Sequence, residues 1–389
     1  YAAGDGGGGA YYLDESDTSS DDNGGTVVVA TDGGRWKLAH SGAVTVKQFG
    51  AKGDGVTNDT GAFAAAFAAV DHVIIPGESG ENYRVSKYPR ADGIVAEGIG
   101  RPTVSVFFND TPVMVQFGSN SRHLGITFQS LESNLEWQRA TLERVVNASV
   151  EHCGFFGFRH TSGGPNAWGL YLKNAEDCKI LYCDFGNNSQ SDIAIVDNNK
   201  NITIVHPQNK VDAGGVFLNV EPNGDLANTG VVVIGGKYRE VSLLENSFTT
   251  YASVAIAFSG AVIDVLRYDG SGATFDGACR IGTITNETNT RVFAGLLDIT
   301  LGLSRNLVDD PFLLDLAQTN TSGQWTSEYI QTSWQVDRVR DGAGSYVRLN
   351  KNNTNQQHSI RSKNISILNP GRPLLFMQAG RSNIPAGAS

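Results

Sequence analysis

The stretch that decides the fold runs from residue 150 to residue 221, where two sets of short apolar segments recur. The first set is V-E-H-C-G-F (Val150–Phe155), I-L-Y-C-D-F (Ile180–Phe185) and I-T-I-V-H-P (Ile202–Pro207), at spacings of 30 and 22 residues. The second set is L-Y-L-K-N (Leu170–Asn174), I-A-I-V-D (Ile193–Asp197) and V-F-L-N-V (Val216–Val220), spaced by 23 residues. Short strands that repeat at this interval without intervening helices predict a parallel β-helix, in which each coil stacks on its neighbour.

The same alignment predicts where the cysteines and one long loop lie. Cys153 and Cys183 take equivalent positions in consecutive coils, so we expect them inside, with Val205 next in the ladder. The chain has four cysteines, which fit neither a metal quartet nor a disulfide framework, so we expect reduced and mostly buried thiols. The longer spacing of 30 places its extra residues between Arg159 and Trp168, in a loop that should project.

The composition agrees with an all-β chain. Of 389 residues 46 are glycine and only 18% are charged, which favours many turns and few helices. The formal net charge of −10 disfavours nucleic-acid binding, because no basic surface is available to neutralise phosphates. No apolar run is long enough to span a bilayer and no secretory signal is visible, so we expect no membrane insertion.

Upstream of the repeats, the run Gly42–Phe67 leads into the one clear predicted helix, from Gly61 to Val70. Thr60 is its predicted N-cap, and Phe63, Phe67 and Val70 share one face. Asp59 joins Thr60 in capping, and the nearby glycines permit sharp turns. A metal site at Asp54 and Asp59 is the alternative, but the turn and cap roles already account for both residues.

We therefore predict three parts. Residues 1–41 form an N-terminal linker with a small β segment, a hairpin of Thr26–Ala30 and Arg35–Leu38 around a D-G-G turn. Residues 42–305 form the parallel β-helix. Residues 306–389 form a C-terminal β region, because apolar strands continue there without a period.

Three segments resemble a known family. F-G-A-K-G-D-G within Gly42–Phe67 and V-I-I-P-G-E-S-G-E-N-Y-R-V (Val73–Val85) resemble the entry of the pectate-lyase-like β-helix superfamily. The segment Tyr11–Leu38, which ends in G-G-R-W-K-L, is similar to the one that precedes the β-helix in bacteriophage tailspikes and tail fibres. The resemblance implies an all-β, right-handed parallel β-helix with a short N-terminal capping helix and a C-terminal β region.

The resemblance also implies a function. It indicates a homotrimeric spike of the virion tail, assembled in the host cytoplasm and joined to other phage tail proteins through an N-terminal module missing from this segment. Such spikes bind a bacterial surface polysaccharide, that is capsule, exopolysaccharide or lipopolysaccharide, and most relatives cleave it. No cofactor is implied.

Glycoside hydrolysis needs two carboxyl groups, about 5 Å apart for retention or about 6.5–9.5 Å for inversion. Stacked coils lie about 4.8 Å apart, so acids on neighbouring coils can meet this requirement. Alternation in the second set of segments predicts these outward residues: Tyr171, Lys173, Asp192, Ala194, Val196, Phe217, Asn219 and Glu221.

Glu221 is the first catalytic candidate, because L-N-V-E-P-N resembles a strand end that recurs in tailspikes; the alternative is a surface glutamate. Asp197 would lie beside it if the coil slips by one residue, and Asp192 has the outward parity; an Asx turn is the alternative for each. Further candidates for substrate binding, each weighed against local packing, are Trp168, Tyr171, Lys173, Phe217, Asn219, His160 and Arg159.

Two other functions remain open at this stage. One is a receptor-binding fibre that does not cleave, and the other is a polysaccharide lyase with Lys173, Arg159 or Tyr171 as base or as neutraliser of a uronate. A G-x-S-x-G elbow, polygalacturonase-type acid pairs and metal-ligand spacings are not apparent, so an esterase and a metal site are disfavoured.

Overall fold

A computed structural model describes residues 5–107, 115–131, 138–159, 167–211, 214–221, 227–243, 254–268, 272–276, 278–285, 300–301, 334–341, 344–351 and 357–359. In this part of the chain, three long parallel sheets run side by side along one β-helix. The all-β prediction is confirmed. None of the helices in the described residues has the length and apolar character of a membrane span.

A small antiparallel sheet precedes the β-helix. Its strands are β1 (Tyr11–Leu13), β2 (Val27–Val29) and β3 (Arg35–Leu38), in the order β1-β3-β2. The predicted hairpin is β2 and β3, but the stretch interpreted as a linker also supplies β1, which pairs with β3. The pairing of β1 with β3 ties this Gly- and Asp-rich segment to the hairpin, and within the segment the hydroxyl of Tyr11 donates a hydrogen bond to the carbonyl of Gly25 (2.8 Å).

The entry to the β-helix contains strand β4 (Ala43–Thr45), a 3-10 helix (Val46–Phe49), strand β5 (Asp54–Asn58) and helix α1 (Thr60–Ala69). The predicted helix is present with Phe63 and Phe67 buried, but it begins one residue earlier, at an N-cap of Asp59.

The capping prediction for Asp59 and Thr60 was wrong. The carboxylate of Asp59 makes no cap hydrogen bond and accepts instead from the backbone N–H groups of Lys52 (2.7 Å) and Gly53 (3.1 Å). The sharp turn before the helix brings those two groups closer to the carboxylate than the helix N–H groups are. Asp59 therefore stabilises the turn rather than the helix end.

Most of the remaining strands belong to the coils. They are β6 (His72–Pro76), β7 (Asn82–Val85), β8 (Val95–Ile99), β9 (Thr103–Val106), β10 (Val115–Gln116), β11 (Arg122–Leu124), β12 (Thr127–Ser130), β13 (Gln138–Glu143), β14 (Ser149–Glu151), β15 (Gly154–Phe156), β16 (Ala167–Lys173), β17 (Lys179–Leu181), β18 (Asp184–Gly186), β19 (Ser191–Ile195), β20 (Thr203–Val205), β21 (Gln208–Asn209), β22 (Val216–Val220), β23 (Val231–Ile234), β24 (Lys237–Leu243), β25 (Val254–Ser259), β26 (Val262–Tyr268), β27 (Gly272–Phe275), β28 (Arg280–Thr285) and β29 (Thr300–Leu301).

These strands form three faces. The eight-stranded sheet has the order β10-β13-β16-β19-β22-β24-β26-β28, and the eleven-stranded sheet runs from β4 and β6 through β8, β11, β14, β17, β20, β23, β25 and β27 to β29. The seven-stranded sheet has the order β21-β18-β15-β12-β9-β7-β5. A central coil such as β14, β15 and β16 gives one strand to each sheet.

Stacked side chains of like kind fill the interior. Phe128, Phe155 and Phe185 come from three successive coils and stack at centroid distances of 5.7 and 5.4 Å. Cys153 and Cys183 lie buried at equivalent coil positions, as predicted, and none of the four cysteines is in a disulfide.

Two predicted registers were wrong by two residues. Ile180 lies opposite Ile204 rather than Ile202, so Val205 pairs with Leu181 on the outer face and does not continue the cysteine ladder. Ile193 lies opposite Leu218 rather than Val216. A slip of two residues preserves the inward and outward sides of a strand, so the apolar alternation cannot detect it.

Three further strands lie in the predicted C-terminal region. They are β30 (Trp334–Asp341), β31 (Gly344–Lys351) and β32 (Gln357–Ser359), and they form an antiparallel sheet.

Candidate functional site

The outer face of the eight-stranded sheet carries two adjacent columns of side chains. Pairing of the central strands places Thr141, Tyr171, Ala194 and Asn219 in the first column. The second column, two residues further along each strand, contains Glu143, Lys173, Val196 and Glu221. Asn219, and not Phe217 as the predicted spacing required, therefore follows Tyr171 and Ala194.

Aromatic side chains of this face are packed rather than open. Trp168 and Tyr171 have ring centroids 5.0 Å apart and form a buried cluster with Ala194 and Val196, outside the main core. The guanidinium of Arg139 lies 4.4 Å from the Tyr171 ring centroid. Of the two interpretations given for Trp168 and Tyr171, substrate binding and local packing, the structure therefore shows the packing.

The acidic side chains in the second column and directly beside it have defined partners. Lys173 Nζ lies 3.1 Å from Asp197 Oδ2, and Arg139 lies 3.7 Å from Glu143. Asn219 Nδ2 donates a hydrogen bond to Glu221 Oε2 (3.1 Å). The fold therefore brings together four residues singled out from the sequence, and it adds Glu143 and Arg139, which that reasoning missed.

The hydroxyl of Tyr171 interacts electrostatically with the charged side chains around it. Burial raises the pKa of its hydroxyl to about 12; Arg139 opposes this rise, whereas the carboxylates of Asp197, Glu143 and Glu221 add to it. The hydroxyl consequently stays protonated at neutral pH and can donate a hydrogen bond among three acids.

Two buried polar atoms of the first column make no hydrogen bond. They are Thr141 Oγ1 and Asn219 Oδ1, on residues only 1% and 8% exposed. An unpaired buried polar atom costs about 1–3 kcal/mol.

Asp192, the third catalytic candidate, is buried and fully engaged. Its carboxylate accepts hydrogen bonds from Asn188 Nδ2 (2.9 Å), Asn209 Nδ2 (3.1 Å) and the backbone N–H of Phe217 (3.0 Å). Burial raises the pKa of this carboxyl, and the three donors act against the rise. These contacts make it a link between neighbouring strands and leave no open position for a substrate.

The contacts of Asp192 predict a stability effect. Replacing Asp192 with asparagine puts an N–H₂ group among hydrogen-bond donors, and we expect a loss of about 1–3 kcal/mol in the free energy of unfolding. Denaturant unfolding monitored by fluorescence measures this loss. Asp177→Asn, in an exposed turn with φ of +55° that asparagine tolerates, is the control and should change little. Equal effects of the two substitutions would contradict the assignment.

The remaining candidates are Phe217, Arg159 and His160. Phe217 is partly exposed, with Arg239 at 5.7 Å from its ring centroid. Arg159 is exposed. His160 lies outside the described residues, as does most of the loop that was predicted to project.

Comparisons with known proteins add a family match at the N-terminus. Residues 1–41 match the model of a phage tail protein small four-stranded beta-sheet domain. No curated protein sequence matches the chain.

Several solved structures are similar to this one. Acinetobacter baumannii phage AM24 tailspike protein shares 14% identity over 72% of this chain and 59% of that chain, with a TM-score of 0.33. The enzymatically active domain of bacteriophage CBA120 tailspike protein 4 shares 12% over 88% and 58%, with a TM-score of 0.45. Pantoea stewartii WceF, a glycan biofilm modifying enzyme, shares 12% over 75% and 44%, with a TM-score of 0.32.

The chain spans less than two thirds of the length of each of these structures. Residues 1–41 are thus similar to a phage tail domain, and the described residues that follow form three parallel sheets wound as a β-helix.

Proposed function

We propose that the chain binds a bacterial surface polysaccharide and cuts it by endo-glycosidic hydrolysis, with Glu221 and Asp197 as the paired carboxyl groups. The observation that carries this proposal is a cluster of contacts on the outer face of the eight-stranded sheet, where Lys173 pairs with Asp197 and Asn219 donates a hydrogen bond to Glu221. Four successive coils supply Glu143, Tyr171, Asp197 and Glu221, so an extended chain of sugars can lie across several coils.

Glu221 and Asp197 form the best pair. Glu221 lies next to Val196 in the adjacent coil, because its backbone N–H donates to the carbonyl of Ile195. Asp197 follows Val196 directly. With about 4.8 Å between strands and about 3.3 Å per residue along them, the Cα atoms of the two residues lie about 6 Å apart, a spacing from which the side chains can reach the carboxyl separations of glycosidases. Glu143 lies in the same column as Glu221 but three coils away, which is too far for a direct pair.

The contacts favour different roles for the two acids. Lys173 neutralises the carboxylate of Asp197, which suits a group that acts as base or nucleophile. Glu221 receives its hydrogen bond from the neutral amide of Asn219, which suits a general acid.

The same contacts disfavour a lyase. A lyase needs a cation free to neutralise a uronate and a base to remove a proton, and Lys173 already pairs with Asp197. Tyr171, the other proposed base, has a pKa of about 12 and holds its proton.

A product assay distinguishes these reactions. We expect the purified chain to release new reducing ends from the capsule, exopolysaccharide or lipopolysaccharide of the bacterium that its phage infects, without the ultraviolet absorbance of an unsaturated sugar. Absorbance that rises with cleavage would instead establish a lyase. Binding without cleavage would establish a receptor-binding fibre and overturn the hydrolase.

The resemblance further supports a place on the virion tail as a homotrimer that contacts other tail proteins. Equilibrium sedimentation of the intact chain tests the trimer, for which we expect three times the 41.5 kDa mass of one chain.

A further inference from the structure

Two buried asparagines lie next to each other at the corner between the eight-stranded and the eleven-stranded sheets. Bridges between successive coils join the residues that directly follow them, so four positions form one inward column: Val145, Ala175, Asn199 and Asn228. All four side chains are buried. The column changes from apolar to amide side chains in the two coils that carry Asp197 and Glu221. Burying an amide is costly unless it is hydrogen-bonded, so the contacts of the two asparagines deserve an explanation.

The two amides form a chain of hydrogen bonds across the corner. Asn228 Oδ1 accepts from the backbone N–H of Asn199 (3.0 Å) and from Asn199 Nδ2 (2.8 Å). Asn199 Nδ2 also donates to the carbonyl of Leu172 (3.2 Å), and its Oδ1 accepts from the N–H of Ala175 (3.0 Å). The chain of amides therefore joins three successive coils.

Asn228 contacts the backbone beside both candidate acids. Its Nδ2 donates to the carbonyl of Val196 (2.6 Å), which belongs to the peptide that links Val196 to Asp197. The same Nδ2 lies 3.4 Å from the carbonyl of Ile195, the group that accepts the N–H of Glu221 at 2.9 Å. One side chain thus connects the backbone that carries Asp197 with the backbone that carries Glu221.

The backbone of Asp197 depends on such contacts because strand β19 ends at Ile195. The N–H of Val196 donates to the carbonyl of Leu172 (3.0 Å), and the N–H of Asn174 donates to the carbonyl of Asp197 (2.8 Å). Both of these hydrogen bonds join Asp197 to the preceding coil. The contact from Asn228 comes from the following coil, which is the coil of Glu221.

We propose that Asn228 is a positioning residue for the hydrolysis, which holds the carboxyl groups of Asp197 and Glu221 in their relative places. This inference rests on the proposed function. Rotation of the peptide between Val196 and Asp197 would turn the carboxylate away from Lys173, whose Nζ lies 3.1 Å from Asp197 Oδ2. A misplacement of about 1 Å can lower the rate of an enzyme about 10²-fold, so a small rotation is sufficient.

Asn228→Ala tests the proposal, because it removes the amide and leaves both acids in the chain. Ala175 occupies the same column two coils earlier, so the corner accepts alanine. We expect kcat for the release of reducing ends to fall about 10²-fold while KM stays nearly unchanged, since the acids move and the sugar-binding surface remains. Circular dichroism and denaturant unfolding verify that the variant is folded under the assay conditions.

Asn188→Ala is the matched control. Asn188 is also a buried asparagine, at the corner between the seven-stranded and the eight-stranded sheets. Its Oδ1 accepts from the N–H of Phe158 (3.2 Å), and its Nδ2 donates to the carbonyl of Phe155 (3.1 Å). Its removal should destabilise the chain as Asn228→Ala does and leave kcat close to the native value. Equal losses of kcat in the two variants would show a merely structural role and overturn the proposal.

The failure of this proposal can be distinguished from the failure of the proposed function. A native chain that cleaves, together with an Asn228→Ala variant of native kcat, would overturn the role of Asn228 and leave the hydrolase intact. A native chain that releases no reducing ends would overturn the hydrolase and this role with it. Crystal structures of both proteins provide a readout besides activity. We expect the contact between Lys173 and Asp197 to be lost in Asn228→Ala, and an unchanged contact would contradict the proposal.

Discussion

Polysaccharide cleavage is expected to fall about 10²–10⁴-fold when Glu221 is replaced by glutamine, the usual range for loss of a general acid. Glutamine keeps the size of the side chain and can still accept the hydrogen bond from Asn219 Nδ2. Its amide cannot deliver a proton to the leaving oxygen. Reducing ends released per minute from the host polysaccharide measure the rate, and a pull-down with the same polysaccharide measures binding, which should persist.

A matched control separates this effect from a change in total charge. Glu97→Gln removes one carboxylate from the outer face of the eleven-stranded sheet, where Glu97 pairs with His72, and it should cleave at the native rate. Asp197→Asn should lose activity to a similar degree as Glu221→Gln, because both carboxyl groups are required. Full activity of Glu221→Gln would rule out Glu221 as the acid. Glu143, which lies in the same column of side chains, would then be the next residue to test.

The largest expected loss of stability follows from Phe155→Ala, at about 3–5 kcal/mol. Phe155 is fully buried between Phe128 and Phe185, so its removal leaves a cavity in the middle of a stack that three coils share. Such a cavity closes poorly, because the hydrogen bonds of the parallel strands hold the coils at fixed spacing. Denaturant unfolding of the full chain measures the change.

The neighbouring residue supplies the control. Phe156 is the next residue of the same strand, points outward and is partly exposed, so Phe156→Ala should cost less, about 1–2 kcal/mol. Equal losses for the two substitutions would contradict the assignment of Phe155 to the interior stack.

Several features of the candidate site could be predicted from the sequence. Alternation along single strands identified the outward positions of Tyr171, Lys173, Asn219 and Glu221, because the two sides of a strand differ in polarity. The contact of Asp197 with Lys173 joins neighbouring coils and was not predicted, because the sequence offered Asp197 only as a neighbour of Glu221 after a slip of one residue. Arg139 and Glu143 were missed, since their coil lies outside the aligned segments.

The amino-acid sequence by itself determined that this chain forms a parallel β-helix with a helix at its entry, and which side chains of each strand face outward. Tertiary structure decided which outward residues become neighbours. Coils differ in length because their turns take up extra residues, and a slip of two leaves the alternation of a strand unchanged. That is why Asn219 rather than Phe217 follows Ala194. Asp192, which alternation placed on the outward side, is buried because Asn188, Asn209 and the backbone N–H of Phe217 converge on its carboxylate.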